Sequence, residues 1–174
     1  MEVRLDSGLS SARSEFKSGR LISIEGVDGA GKSTVAAQLA QKLREAGFPL
    51  QMVLEPGGTR VSEKIREVLL DPLNQEMTPR AEAMLYAAAR LQLINQVIVP
   101  SLAAGMVVIC DRYTDSTLAY QGGGRGLEPD WLRCLNQLTT GGLVPDLTLL
   151  LDVEPSLGHK RRCEKNRKQK IELD

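Results

Sequence analysis

ISIEGVDGAGKSTVAAQL, residues 22–39, passes from an apolar segment through a cluster of glycines into a run with helical spacing. Strand, glycine-rich turn and helix N-terminus, in that order, make a cradle for a phosphate chain. Glycines let backbone N–H groups approach phosphate oxygens closely, and the helix end adds partial positive charge. Gly26-x4-Gly31-Lys32-Ser33 has Walker A spacing, in which the lysine reaches the β- and γ-phosphates and the hydroxyl ligates Mg²⁺. The candidate nucleotide-binding set is therefore Gly26, Val27, Asp28, Gly29, Ala30, Gly31, Lys32, Ser33 and Thr34, with Lys32 catalytic and Ser33 a metal ligand. Asp28 raises a question, because it puts a negative charge in a loop built for anions.

Outward from this loop, strand and helix alternate. RLISIEG (20–26) reads as a buried strand, and KSTVAAQLAQKLREAG (32–47) as an amphipathic helix stopped by Gly47. LQMVLE (50–55) is a second strand, and RVSEKIREVLL (60–70) a helix after the turn EPGG. A long helix is predicted to start at the cap and first-turn pair Thr78-Pro79 and to kink at Pro100. GMVVICD (105–111) is a third strand whose continuous apolar run suits a sheet covered on both faces. PDLTLLLD (145–152) is a fourth, after a loop containing Gly and Pro. Strands separated by helices predict a three-layer α/β domain of P-loop NTPase type, a parallel sheet flanked by helices.

The chain has 174 residues, 42% hydrophobic and 25% charged, enough for one domain with a proper core. No apolar run reaches the roughly 18 residues needed to cross a bilayer, and no membrane partner is expected. Residues 1–20 lack an apolar signal-peptide core and read as a flexible leader, with a weak organelle-targeting peptide as the alternative. Cys110, Cys134 and Cys163 have neither the number nor the spacing of a disulfide framework or zinc site, which fits a reducing cytoplasm. Cys110 lies in an apolar run and is expected in the core. His159 is the only histidine, which removes His-based triads and most His-rich metal sites from contention.

Formal net charge is zero, yet seven Lys or Arg crowd between Lys160 and Lys170 against one acid, Glu164. The rest of the chain is acidic on balance, which argues against a nucleic-acid surface. The basic run needs a local explanation, of which a solvated helix is the plain one.

Asp111 ends an apolar strand, where ligands gather in parallel sheets, and could orient Mg²⁺ or its water shell as a Walker B acid does. Its alternative is a turn cap. Arg112 beside it offers a planar fork of donors suited to phosphate.

Four segments together resemble the thymidylate kinase family: EGVDGAGKST (25–34), EPGGT (55–59), DRYTDSTLAYQGGGRG (111–126) and PDLTLLLD (145–152). YAAARLQL (86–93) fits the same pattern. The resemblance implies transfer of phosphate from ATP-Mg²⁺ to dTMP, and a homodimer packed through helices. Asp28 would then accept a hydrogen bond from the 3′-hydroxyl of dTMP, pointing away from the phosphate cradle; without the resemblance it is a turn-favouring Asp before Gly29. Tyr86 would stack on thymine, and Arg90, one turn on, would bond its exocyclic oxygen. Thr117 and Gln121 would address the base edge, Tyr120 would crowd the sugar's 2′ position, and Ser116 would support that loop. Arg112 would hold the acceptor phosphate, with Arg125 near it. By implication the catalytic set is Lys32, Asp111 and Arg112, and the metal ligands are Ser33 and Asp111.

Two departures stand out. The family carries Thr-Arg before EPGGT, whereas this chain has Val53 and Leu54. Arg60 and Arg66 are the candidates to compensate. After PDLTLLLD the family continues with a mobile basic lid from about residue 155, commonly ending in Asp-Arg-x-Glu, then a fifth strand and closing helices. Here SLGHKRRCEKNRKQKIELD follows and the sequence stops, which reads as a lid cut at Asp174 or as divergent sequence. A catalytically impaired nucleotide-binding fragment of the same fold is therefore the alternative to an active kinase.

Overall fold

Four parallel strands, Arg20–Gly26 (β1), Leu50–Leu54 (β2), Val107–Asp111 (β3) and Leu147–Leu151 (β4), lie in the order β2-β3-β1-β4. They belong to a computed structural model that describes residues 19–171, with side chains described to residue 164. The leader expectation falls outside the described residues except at Gly19 and Arg20, where β1 begins.

The sheet is central because its sequence leaves no polar face on β3. Every residue of β3 is buried, and its side chains alternate between two clusters. Val108 and Cys110 pack with Leu21, Leu93, Ile98 and Leu102 on one side. Val107 and Ile109 pack with Ile24, Ala36 and Ala40 on the other. Period-two alternation with apolar residues at both phases requires a layer on each face, as expected from the sequence. Cys110 sits in the core, and burial pushes its thiol well above the usual range.

One outer layer is Lys32–Glu45 (α1), whose last turn closes as Gly47, at φ 84°, donates to Arg44 O at 2.9 Å. The other is built on Arg60–Leu70 (α2) and Pro79–Leu93 (α3), capped by Thr59 and Thr78 hydroxyls that accept from the third residue on. Ser62 ties these two helices together, donating to Ala89 O at 2.8 Å from a fully buried position. Beyond α3 the backbone stays helical through a wide π-type turn, Ile94–Ile98, into Val99–Ala103 (α4). Pro100 has no N–H for the Gln96 carbonyl and its ring presses on it. The predicted kink takes the form of that wider turn just upstream.

Thr114–Thr117 (α5) runs into a second π-type turn, Leu118–Gly124, followed by Pro129–Thr140 (α6) and Pro155–Ile171 (α7). Sequence reading left α6 within a loop, although Pro129 at its first turn, buried Leu132 and Asn136, and left-handed Gly141 at its end are ordinary helix signals. The fourth strand is a sheet edge, with Leu147 and Leu150 exposed. No helix among the described residues is long and apolar enough to cross a membrane.

Ile98 is fully buried between the sheet and the long helix. Ile98→Ala is expected to lower the unfolding free energy by about 2–5 kcal/mol in urea titration; a loss below about 1 kcal/mol would place Ile98 outside the supporting core.

Candidate active site

The parallel pairing of β1 with β3 sets Ile24 beside Asp111, so the phosphate loop and the acid after it meet at one sheet end. Gly31, left-handed at φ 99°, turns the chain into α1. Lys32 Nζ donates to Gly26 O and Val27 O, each at 2.9 Å. Burial, and then the Arg112 guanidinium, lower the proton affinity of Lys32. Ser33 Oγ donates to Asp111 Oδ2 at 2.6 Å, which joins the two expected metal ligands directly.

These are hard oxygen donors, the type Mg²⁺ prefers, and a Mg²⁺ bound with one or two protein ligands completes its shell with water and substrate phosphates. Among the described residues no group of three His, Cys, Asp or Glu could hold a metal by itself. The residues present therefore fit a metal that arrives with a nucleotide.

At the far end of the site, Arg90 is buried and nearly saturated. Its Nε donates to Glu55 Oε2 at 2.6 Å, and Nη1 to Asn136 Oδ1 at 2.9 Å. Nη2 donates to Thr117 Oγ1 at 2.9 Å and Tyr113 O at 3.2 Å. A guanidinium has five N–H donors, so about one remains for a ligand. Thr117, accepting from Arg90, keeps its own hydroxyl proton to donate. Glu55 is 5% exposed, and burial pushes its carboxyl up while Arg90 pulls it back only in part. Gln121 Nε2 is held by Glu82 Oε1 at 2.8 Å. Glu82, Tyr86 and Arg90 recur every fourth residue on α3, hence one helix face supplies all three. The Tyr86 hydroxyl, raised by burial and then by Glu82, stays protonated at neutral pH.

Between the two ends lies Arg112, whose φ of 77° is left-handed, an uncommon place for a non-glycine residue. Its backbone N–H donates to Ile24 O at 3.0 Å. Its guanidinium contacts Asp28 Oδ1, and donates to Ser116 Oγ and Tyr120 OH, each at 3.1 Å. The Tyr120 ring centroid lies 5.0 Å from the guanidinium carbon, a cation–π contact. Beneath them Glu25, 4% exposed, accepts from Tyr113 N at 2.7 Å and Ser116 Oγ at 2.6 Å.

One cavity of about 660 Å³ joins these parts. Its walls include Asp28, Gly29, Gly31, Lys32, Ser33 and Thr34 from the loop, with Asp111 and Arg112. Tyr86, Arg90, Ser116, Thr117, Tyr120 and Gln121 complete the predicted members. Gly26, Val27 and Ala30 are not part of its wall; the Gly26 and Val27 carbonyls accept from Lys32, and the Ala30 N–H donates to Val27 O at 3.1 Å.

Of the two candidates to replace an arginine at Leu54, the cavity takes Arg66, which donates to Pro56 O at 2.6 Å. Arg161 and Arg162 of α7 also line it, which gives the basic run a place over the phosphate loop. Side chains at 165–170 lie outside the described residues. Arg125, expected near the acceptor phosphate, pairs with Glu82 at 2.5 Å beside a smaller pocket that shares Tyr86, Tyr120 and Gln121 with the main cavity. Glu25, Glu82 and Asn136 were missed in the sequence. A charged residue inside or at the end of an apolar strand was the signal for Glu25, and helical spacing from Tyr86 the signal for Glu82; Asn136 had none.

Comparison with known proteins agrees with this geometry. A family model described as thymidylate kinase matches residues 24–174. Thymidylate kinase of Pelotomaculum thermopropionicum is 54% identical over 136 residues, 78% of this chain and 63% of that protein. That of Exiguobacterium sp. is 47% identical over 155 residues, 89% of this chain and 73% of the relative. The chain thus spans from under two thirds to about three quarters of the length of such relatives. The crystal structure of thymidylate kinase from Ehrlichia chaffeensis superposes with a TM-score of 0.74 at 35% identity, covering 82% of this chain and 81% of that one. A family model spanning most of the chain, relatives sharing about half of its residues and a solved structure of the same fold make this chain a member of the thymidylate kinase family.

Proposed function

We propose that this chain transfers the γ-phosphoryl group of ATP to dTMP, giving dTDP and ADP. The observation that carries this reading is the single cavity in which Lys32 lies at one end and Tyr86, Arg90 and Thr117 at the other. A cavity with a donor-phosphate cradle facing a base pocket suits transfer between two nucleotides.

In this reading the thymine ring stacks on Tyr86, and its exocyclic oxygen accepts from Arg90 and Thr117. Asp28 takes the sugar hydroxyl, Tyr120 fills the space beside the 2′ carbon, and Arg112 faces the acceptor phosphate. An oxygen of that phosphate attacks the γ-phosphorus as the bond to the β-bridging oxygen breaks and ADP departs. The attacking oxygen is already ionised, so no strong base is needed and catalysis is chiefly positioning and charge stabilisation. Lys32, Arg66, Arg112 and Arg161 are the cations that can face the phosphates. Ser33 and Asp111 would hold Mg²⁺, which supplies charge neutralisation on the donor phosphates. Three cysteines with no disulfide among them fit a reducing cytoplasm.

ADP release in a coupled assay with ATP, Mg²⁺ and dTMP is expected to depend on dTMP; the same rate without it rejects dTMP as acceptor. Thr117→Ala is expected to lower kcat/KM for dTMP about tenfold, the effect of losing one well-placed hydrogen bond. ATP affinity should stay within about twofold, and equal losses for both nucleotides would remove the base-pocket assignment. The family resemblance extends the proposal to a homodimer. Light scattering should then give twice the 19.0 kDa chain mass, and a monomer at assay concentration contradicts it.

A further inference from the structure

Asp28 is held by two arginines from two different elements. Arg112, just after β3, contacts Oδ1, and Arg162 on α7 donates from Nη1 to Oδ2 at 2.8 Å. The second contact is more than a meeting of long side chains at a surface, because the backbone beneath it has no slack. Gly158 is buried against the phosphate loop, and a Cβ there would stand 2.6 Å from Asp28 O. A Cβ on Gly29 would stand 2.1 Å from Gly158 O. Two glycines therefore let α7 rest on the loop. Arg162, four residues beyond Gly158 and so on the same helix face, extends to the Asp28 carboxylate.

An ionised carboxylate offers about four acceptor positions. Two arginine donors leave room for a ligand hydroxyl while fixing the plane in which the remaining lone pairs point. We infer that Arg162 is a positioning residue for the acceptor sugar: through Asp28 it aims a carboxylate at the 3′-hydroxyl, tying the placement of α7 to the acceptor end of the site. This rests on the proposed dTMP reading. The Arg162 side chain is 60% exposed, and exposed pairs add little to the stability of the free protein. Once a nucleotide covers the pair and excludes water, the same charges act in a lower dielectric and the contact strengthens. The effect therefore belongs to ligand binding and to one hydroxyl in particular.

The test measures dissociation constants by calorimetry on the full chain, with dTMP and with its 3′-deoxy analogue, for the unaltered protein, Arg162→Ala and Arg162→Lys. Arg162→Ala is expected to weaken dTMP about 5- to 20-fold and the 3′-deoxy analogue by less than about twofold. Its Tm should match that of the unaltered protein, and Arg162→Lys should recover part of the loss. Equal weakening of both nucleotides would overturn the inference by assigning Arg162 to the phosphate, and no weakening of either would overturn it outright. If the unaltered protein binds dTMP while the Arg162→Ala comparison is flat, this inference alone fails. If the unaltered protein binds neither nucleotide, the dTMP reading falls with it.

Discussion

Glu25 is a carboxylate taken out of water at the end of a parallel strand, and the site is arranged around the need to satisfy it. An ionised group in that position costs several kcal/mol unless donors fill its lone pairs. The Tyr113 N–H and the Ser116 hydroxyl do so, one on each oxygen. These two bonds fix the segment after β3 against the start of the phosphate loop. Arg112 lies between Asp111 and Tyr113 and is forced into the left-handed region, which directs its guanidinium toward Asp28 and Tyr120. Thr117 and Gln121 follow from the same turn. The phosphate loop and the segment after β3 are thereby held in register by one buried acid.

A second buried acid performs the corresponding task at the other end. Glu55 and Arg90 form an ion pair shielded from solvent, and such pairs give position more reliably than stability. Among the described residues Glu55 Oε1 has no hydrogen-bond partner, so the pair is held there on one oxygen only. Arg90 uses its other donors on Asn136, Tyr113 O and Thr117, linking α3, α6 and α5 at a single guanidinium. The pocket around Arg90 is consequently made of side chains whose rotamers are already chosen. A ligand entering it has little ordering of protein groups to offset.

The sheet and the phosphate loop were legible because their signals are local. Apolar runs of strand length, glycines at fixed spacing and a lysine at a helix start lie within a few residues of each other. Tyr86 and Arg90 were legible as a pair by helical spacing, although their place in the site came from resemblance. What the sequence hid depends on partners far along the chain. Arg90 and Glu55 are 35 residues apart, and Arg162 and Asp28 are 134 apart. No periodicity reports such meetings. Arg125 and Glu82, 43 residues apart, are another such pair. The helix α6 was overlooked between two loops rich in Gly and Pro, though its own first turn carried the usual proline.

The cavity lining carries Lys32, Arg66, Arg90, Arg112, Arg161 and Arg162 against Asp28, Glu55 and Asp111, in a chain whose formal charge is zero. Positive potential is therefore concentrated at one mouth while the remaining surface is mildly acidic. Field lines converging on a concave, low-dielectric opening draw polyanions in from solution and turn them away elsewhere. Under the proposed reading, nucleotides would be drawn in by long-range attraction before any contact forms, and background electrolyte, whose screening length is about 8 Å at physiological strength, would set how far that attraction extends.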